Sequence, residues 1–256
     1  MERNILLTIE YDGSEFSGWQ RQPSRRTVQG ELEQVLSKVC GTPIQINGTS
    51  RTDAGVHALG QCASFKLESG IPTDKIKLAA NNILAGGKNL AAQVGDVRIL
   101  SVEEMNPDFH ARFDSKGKMY RYVICNGTEQ NIFRRKYCYQ VTTPLNVEAM
   151  AEAAKHIVGT HDFACFQSAG GQERETTVRT VYSLNVFKSN EDVVIEIAGD
   201  GFLYNMVRII TGTLVEVGLG KRKPEDLIGI IESADRKNSG HKAPAEGLYL
   251  VEVYYE

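Results

Sequence analysis

The sequence predicts an α+β fold made of two domains, residues 1–107 and 108–256, each a mainly antiparallel sheet covered by helices on one face. A chain of 256 residues with 41% hydrophobic and 24% charged residues can bury a sizeable core, and this composition excludes disordered and collagen-like proteins. Short β-branched runs alternate with segments of helical periodicity. The alternation starts again after Asn106-Pro107, which predicts the boundary between the domains.

In the first domain, the β-branched run 4–11 stops at Asp12-Gly13 and predicts a central strand. A helix is predicted over residues 27–40, because apolar residues recur at helical spacing, Thr27 can cap the N-terminus and Gly41 follows the end. The remaining predicted elements are strands over 44–46, 61–67 and 96–102 and a helix over 73–84. The polar segment 47–60 lies between two of these strands, where loops often carry function.

In the second domain, a helix over 146–158 is predicted from its periodicity, with Asn146 as N-cap and Gly159 at its end. The other predicted elements are strands over 119–125, 178–187, 193–197 and 248–255 and helices over 203–217 and 224–233. The polar, Gly-rich segment 169–177 is predicted to be a surface loop.

The charge balance is slightly acidic, with 32 acidic and 29 basic residues, a formal net charge of -3 and a sequence pI near 6.0. Because dedicated nucleic-acid-binding domains usually have a pI above about 9, a polyanionic partner would have to meet a local basic groove. The sequence shows no signal-peptide pattern and no apolar run near the ~20 residues that cross a bilayer. We therefore expect a soluble, cytoplasmic protein.

The cysteines are odd in number and lie at least thirteen residues apart, at Cys40, Cys62, Cys125, Cys138 and Cys165. This spacing fits neither a zinc site nor a disulfide framework, so we expect reduced, buried thiols. No phosphate-binding glycine loop is present, and the five histidines lack metal-ligand spacing. We therefore expect neither a cofactor nor a metal.

The densest polar cluster runs NGTSRTDAGVH over residues 47–57. Asp53 lies two residues from Arg51, and a nearby guanidinium favours the ionised carboxylate, so Asp53 could serve as a nucleophile or an electrostatic stabiliser. An Asx-type turn with a solvated ion pair explains the same pattern. His57 is expected to have a structural hydrogen-bonding role, because no Ser or Cys stands in a nucleophile pattern.

Basic and aromatic residues are interleaved in three segments, 19–26, 116–122 and 134–137. Such a combination can hold RNA phosphates while an exposed ring stacks on a base. The alternative is that Tyr120 and Tyr122 form one face of a strand and point into the core. Arg208 lies inside an apolar helix, where a buried guanidinium needs a charge partner, and Asp53 is the candidate.

Seven motifs in order along the whole chain resemble the TruA family of tRNA pseudouridine synthases. They are YDGSEFSGWQRQ (11–22), TVQG (27–30), RTDAGVHA (51–58), FHARF (109–113), YRY (120–122), NMVR (205–208) and AEGLYL (245–250). The resemblance implies an enzyme that isomerises uridine to pseudouridine at positions 38 to 40 of the tRNA anticodon stem-loop. It also implies a homodimer and a basic active-site cleft between the two domains.

The resemblance also implies roles for individual residues. Asp53 matches the catalytic aspartate, Tyr120 the tyrosine that stacks on the target base, Arg208 the arginine that pairs with the aspartate, and Leu248 an apolar pocket wall. The predicted substrate-binding residues further include Arg51, Arg21, Arg25 and Arg26. The family usually has glycine at the position of Ser50, which serine can occupy unless φ is positive there.

The implied reaction breaks the N1–C1′ bond and joins C5 to C1′ without any net redox change. A carboxylate could attack C1′, add to C6 or assist formation of a glycal, and the sequence does not distinguish these routes. Two rival functions are a non-catalytic RNA-binding or RNA-folding module and an aspartate-dependent glycosidic hydrolase. The hydrolase is disfavoured because such enzymes usually need a second carboxylate ~5–9.5 Å away, and the Asp53 motif holds none.

Overall fold

The computed structural model describes residues 2–86, 94–129, 131–170 and 175–256. Within these ranges the α-helices are α1 (Val28–Cys40), α2 (Thr73–Leu84), α3 (Val147–Lys155), α4 (Met206–Gly218) and α5 (Asp226–Ser233). The strands are β1 (Arg3–Tyr11), β2 (Asn47–Gly48), β3 (His57–Leu67), β4 (Val97–Met105), β5 (Gly117–Asn126), β6 (Tyr139–Val141), β7 (Gly159–Asp162), β8 (Val178–Ser189), β9 (Asp192–Gly199) and β10 (Leu248–Tyr254). The predicted α+β class is confirmed.

The chain divides into two compact units. One contains the chain up to Lys116 together with Leu250–Glu256, and the other contains Gly117–Tyr249. The predicted division into two domains, 1–107 and 108–256, stays a prediction. The two units differ from them in two ways: the division falls after Lys116, and the last seven residues belong to the first unit.

The first unit is built around β1, which pairs antiparallel with β3 on one side and with β4 on the other. This arrangement confirms β1 as a central strand. The short β2 pairs antiparallel with β3. Gly60 of β3 lies so close to Val251 that a Cβ at position 60 would clash with the Val251 carbonyl oxygen.

The second unit has antiparallel pairs in the order β5-β9-β8-β7, and β6 joins β5 as a parallel neighbour. α3 packs against β8 and α4. The core of this unit includes most of α4, in which twelve of thirteen residues are buried, from Met206 to Gly218 with the exception of Glu216.

Helix α1 begins and ends where the sequence predicts, because both of its capping residues act locally. The Thr27 hydroxyl accepts a hydrogen bond from Gly30 N at 3.3 Å, and Gly41 ends the helix in the left-handed conformation at φ 69°. Both caps and the bounds of α2, Thr73–Leu84, agree with the predictions.

The strand predicted over 44–46 is wrong, because side chains of α1 occupy its backbone groups. Ile44 N donates to Ser37 Oγ at 2.8 Å, and Ile46 N donates to Glu33 Oε1 at 3.1 Å. Gln29 Nε2 donates to Ile46 O at 3.0 Å, so this segment is tied to the helix instead of a strand ladder.

Three predicted helix boundaries are also corrected. α3 ends at Lys155 instead of 158, since His156 N bonds to carbonyl oxygens three and two residues back and the chain then enters β7. α4 begins at Met206 instead of 203, because Asn205 takes a left-handed φ of 62°. α5 begins at Asp226, two residues after the predicted start.

The expectation that all five cysteines are reduced is wrong for two of them. Cys125 and Cys138 form a disulfide with a Cα–Cα distance of 5.9 Å. A spacing of thirteen residues does not predict this pair. The two cysteines are brought together by the parallel pairing of β6 with β5, in which Cys125 lies opposite Gln140. Cys40, Cys62 and Cys165 are free and buried, as expected.

Two other expectations, a surface loop over 169–177 and the absence of a membrane span, can be compared with the structure only within the described ranges. Residues 171–174 of the predicted surface loop 169–177 lie outside them. Within them, no helix combines the length and the apolar character that crossing a membrane requires.

Candidate functional site

The loop that carries Asp53 is hydrogen-bonded to β3 at its start and continues into β3 at its end. Thr49 N donates to Cys62 O at 2.9 Å, and the side chain of fully buried Gln61 accepts from Ser50 N at 3.3 Å and donates to Ser50 O at 2.7 Å. Ser50 is not among the described non-glycine residues with positive φ, so serine fits there without backbone strain.

Asp53 itself opens a four-residue turn. Val56 N donates to Asp53 O at 3.2 Å, and Gly55, the third residue of the turn, has φ 81°. Asp53 is half-buried, whereas Arg51 is exposed and Thr52 is buried. The carboxylate therefore projects from a backbone whose conformation is fixed by hydrogen bonds on either side.

The segment 13–19 supports the other side of this loop at close range. Trp19 N donates to Thr52 O at 3.0 Å, and the Tyr11 hydroxyl lies 2.7 Å from Thr52 Oγ1. A Cβ at Gly18, where φ is 90°, would lie 2.7 Å from Thr52 O, and a Cβ at Gly13 would clash with Val56 O. Sequence reasoning did not assign these two glycines to the site, although both lie in the motif 11–22.

His57 has the structural role that the sequence predicts. Its side chain is buried, and its Nδ1 accepts a hydrogen bond from Gly13 N at 3.1 Å. Asp12 Oδ1 lies 3.3 Å from the same nitrogen. The imidazole thus fixes the Asp12-Gly13 turn against the start of β3.

Tyr120 and Tyr122 occupy the same face of β5, and both are buried. The Tyr120 ring is 7% exposed and meets Phe202 edge-on at 5.3 Å between centroids. Tyr122 is fully buried and donates to Pro244 O at 2.7 Å, and burial raises the pKa of its hydroxyl. The burial of both rings agrees with the core-facing interpretation, and the role of Tyr120 toward a base stays a prediction.

Arg208 lies in the first turn of α4 with a side chain oriented by two acceptors. Its Nε donates to Ala243 O at 2.8 Å, and its Nη1 donates to Asn205 Oδ1 at 3.0 Å. The residue is 9% exposed, so the expected burial is confirmed. Its pairing with Asp53 stays a prediction.

Residues 239–244 cross α4 and form what we call the strap. Ala243 N donates to Arg208 O at 3.1 Å, and Gly240 N donates to Thr213 Oγ1 at 2.9 Å. Gly212 allows this approach, because a Cβ there would clash with the His241 carbonyl oxygen. Sequence reasoning missed the strap, and a glycine inside the apolar run 203–217 was the one signal for it.

Two of the arginines predicted to bind phosphate already have carboxylate partners. Arg21 Nη1 lies 2.7 Å from Glu33 Oε2, and Arg26 pairs with Glu31 at 2.9 Å and with Asp96 at 2.6 Å. Arg25 and Arg51 are exposed, and neither pairs with a carboxylate of the described residues. Phosphate binding by all four arginines stays a prediction.

Leu248 begins β10 and is 6% exposed, and its role as an apolar pocket wall stays a prediction. The glycine before it, Gly247, lies against the Tyr122 ring, which a Cβ would approach to 2.6 Å. Within the described part of the chain, no three His, Cys, Asp or Glu side chains converge as a metal site would require.

Comparison with known proteins gives matches over nearly the full chain. A family model described as tRNA pseudouridine synthase matches residues 7–114 and 153–256. The tRNA pseudouridine synthase A 2 of Clostridium tetani is 47% identical over 257 residues, covering 100% of both chains. The tRNA pseudouridine synthases A of Acetivibrio thermocellus and Brevibacillus brevis are each 47% identical over 253 residues, which is 99% of this chain and 100% of theirs.

Proposed function

The chain belongs to the tRNA pseudouridine synthase family, and from this premise we propose that Asp53 is the carboxylate on which its reaction depends. The protein is an isomerase that converts uridine to pseudouridine in tRNA. The observation that carries the proposal is the fixed turn at Asp53, held by Thr49, Ser50 and Trp19 within the matched residues 7–114. A catalytic group held in one geometry reduces the entropic part of the barrier.

The reaction breaks the N1–C1′ bond, rotates the uracil and forms the C5–C1′ bond. N1 gains a proton and C5 loses one, so atoms and electrons balance within the nucleotide. Asp53 can assist as an anion by attack on C1′, by addition to C6 or by aiding removal of the C2′ proton. All three routes require an ionised carboxylate at the target nucleotide.

Arg208 is the group that we assign to keep Asp53 anionic, with Arg51 as a second cation. Support comes from the two hydrogen bonds that the Arg208 guanidinium donates, to Asn205 Oδ1 and to Ala243 O. They fix the orientation of the side chain before any substrate binds. A basic cleft in which Asp53 and Arg208 meet is part of this proposal.

The proposal assigns the remaining residues to binding. A base within a stem-loop must leave its stack to be modified, and stacking on Tyr120 would offset part of that cost. Leu248 would line the pocket, and Arg51, Arg21, Arg25 and Arg26 would contact phosphates. Modification at positions 38 to 40, action as a homodimer and a cytoplasmic location belong to the proposal as well.

Substituting Asp53→Asn tests the assignment, because it removes the charge and keeps the size. We expect the rate of tritium release from tRNA transcripts labelled at C5 of uridine to fall by at least about 1,000-fold, with tRNA affinity retained. Asp74→Asn, an exposed aspartate in the first turn of α2, is the matched control and should keep the wild-type rate.

Turnover by Asp53→Asn at more than a tenth of the wild-type rate would remove Asp53 from the mechanism. Release of free uracil by the wild-type protein would instead indicate hydrolysis. Binding of tRNA without tritium release by the wild-type protein would indicate the non-catalytic RNA-binding module.

A further inference from the structure

Residues 109–113 carry the motif FHARF, to which the proposed chemistry assigns no task. The centre of this segment, Ala111, is fully buried. Its N–H donates to Ser64 Oγ at 3.0 Å, and its carbonyl oxygen lies 3.0 Å from Thr49 Oγ1 and 2.9 Å from the Tyr255 hydroxyl. The backbone on either side of Ala111 is therefore held in place.

Beyond this anchor, three planar side-chain groups form a cluster in which Arg112 and Phe113 are exposed and His110 is half-buried. Phe113 is 75% exposed, and its ring lies 4.3 Å from that of His110 at an interplanar angle of 35°. The Arg112 guanidinium lies 5.7 Å from the Phe113 centroid, and Arg112 N donates to His110 Nδ1 at 3.1 Å. We call His110, Arg112 and Phe113 the FHARF cluster.

The charges of the cluster favour a polyanion over a protein. No carboxylate of the described residues pairs with the Arg112 guanidinium. The Asp114 carboxylate is the acidic group beside it, and its Oδ2 accepts from His110 N at 2.7 Å, which holds the turn. An exposed ring next to a guanidinium without a carboxylate partner suits a base and its phosphate, because rings stack on bases and arginine binds phosphate.

The cluster is also physically continuous with the Asp53 loop. Thr49 contacts the Ala111 carbonyl oxygen through its hydroxyl and begins the loop through its own N–H bond to Cys62 O. Asp53 is four positions after Thr49 in the chain, so their Cα atoms are at most about 14 Å apart. A base bound on Phe113 would therefore belong to the same part of the tRNA as the target uridine.

We propose that the FHARF cluster is a stacking platform for an unpaired base near the target uridine, with Arg112 contacting an adjoining phosphate. The proposal rests on the proposed function in one respect, the placing of the target at Asp53. It assigns Phe113 to substrate binding and gives it no part in bond breaking.

Fluorescence offers a direct test, because the chain has one tryptophan, Trp19, and this side chain is 2% exposed. Phe113→Trp places an exposed indole in the cluster, and we expect tRNA to quench its emission. Phe187→Trp, at a half-exposed phenylalanine on β8, is the matched control and should show no added quenching.

Binding and rate measurements complete the test. We expect Phe113→Ala and Phe113→Leu to weaken tRNA binding by about 5- to 100-fold, whereas Phe113→Trp stays within about 2-fold of the wild-type Kd. The loss should appear in KM, with kcat at saturating tRNA retained. Phe187→Ala should leave both parameters unchanged.

Three results would overturn the proposal: no quenching in Phe113→Trp, equal affinity in Phe113→Ala and wild type, or a changed oligomeric state of Phe113→Ala with unchanged affinity. The last result, read by sedimentation, would assign the cluster to a protein contact. Failure of the proposed function is a separate outcome, since it would appear as absent tritium release by the wild-type protein or as full activity of Asp53→Asn.

Discussion

Glu216 holds the strap to α4 through one carboxylate. Its Oε1 accepts from His241 N at 3.0 Å and lies 3.2 Å from His241 Nδ1, and its Oε2 pairs with Arg222 Nε at 2.6 Å. Burial by itself would raise the pKa of Glu216, but the hydrogen bonds from Arg222 and His241 outweigh burial, and the pKa is lowered. Glu216 thereby positions the segment that carries Ala243, an acceptor for Arg208.

The lowered pKa predicts how stability depends on pH. A carboxylate whose pKa is lower in the folded state contributes stability above its unfolded value of 4.5, and this contribution is lost as pH falls through the folded value. We expect Glu216→Gln to lower the free energy of unfolding by about 1–3 kcal/mol at pH 7, and the deficit should shrink below pH 4.5.

Thermal unfolding of wild type and Glu216→Gln between pH 7 and about pH 3 measures this difference. Glu232→Gln, at an exposed position near the end of α5, is the control and should follow the wild-type curve. A deficit of constant size across the whole pH range would contradict the assigned charge effect.

At the scale of elements, α4 and the strap depend on backbone approaching backbone. Gly212 removes the Cβ that would meet His241 O, and a Cβ at Gly240 would lie 2.7 Å from Thr213 Cα. Each glycine lies against the other element, so the helix and the strap pack closely, and Ala243 of the strap accepts a hydrogen bond from Arg208. Glycine in a helix interior normally lowers stability by about 1 kcal/mol relative to alanine, and the close packing that Gly212 permits offsets this loss here.

A pair of helix glycines tests this packing. Gly212→Ala should destabilise the protein by about 1–3 kcal/mol or more, since the added methyl overlaps a carbonyl oxygen. Gly229→Ala in α5, where no heavy atom lies within 4 Å of the new Cβ, should stabilise it by about 0.5–1 kcal/mol through helix propensity. Circular dichroism melting of both variants measures the contrast, and equal shifts of the same sign would refute the packing described.

At the scale of the whole molecule, an acidic protein must bind a polyanion through a few local cations. The net charge is -3, and Arg21 and Arg26 are paired with carboxylates. Arg25, Arg51 and Arg112 are exposed without a carboxylate partner among the described residues. We expect these three arginines to be among the positions where tRNA binding releases counterions.

Salt dependence tests this view of the surface. The logarithm of the tRNA affinity should fall linearly with the logarithm of salt concentration, and Arg25→Gln should reduce the slope by about 1. Fluorescence anisotropy with labelled tRNA at several KCl concentrations gives the slopes. Arg98→Gln, at an arginine 3.6 Å from Glu10, is the control and should keep the wild-type slope. An affinity that does not change with salt would contradict a basic binding groove.

The sequence alone determined the features whose signals are local. Thr27 and Gly41 bracket α1 because caps act within one turn, and the apolar run of β1 marks a strand that has a neighbour on each side. The motif around Asp53 identified the loop, since its glycine sets the turn that holds the aspartate. His57 was likewise predictable, because no nucleophile pattern accompanies it.

The tertiary structure decided what depends on residues far apart in the chain. Side chains of α1 took the backbone groups of the predicted strand 44–46, and the return of β6 to β5 joined Cys125 to Cys138. The strap on α4 and the anchoring of Ala111 by Thr49 and Tyr255 depend on separations of 25 to 144 residues. Periodicity and caps report on neighbours along the chain, whereas these contacts arise from packing, which no local pattern encodes.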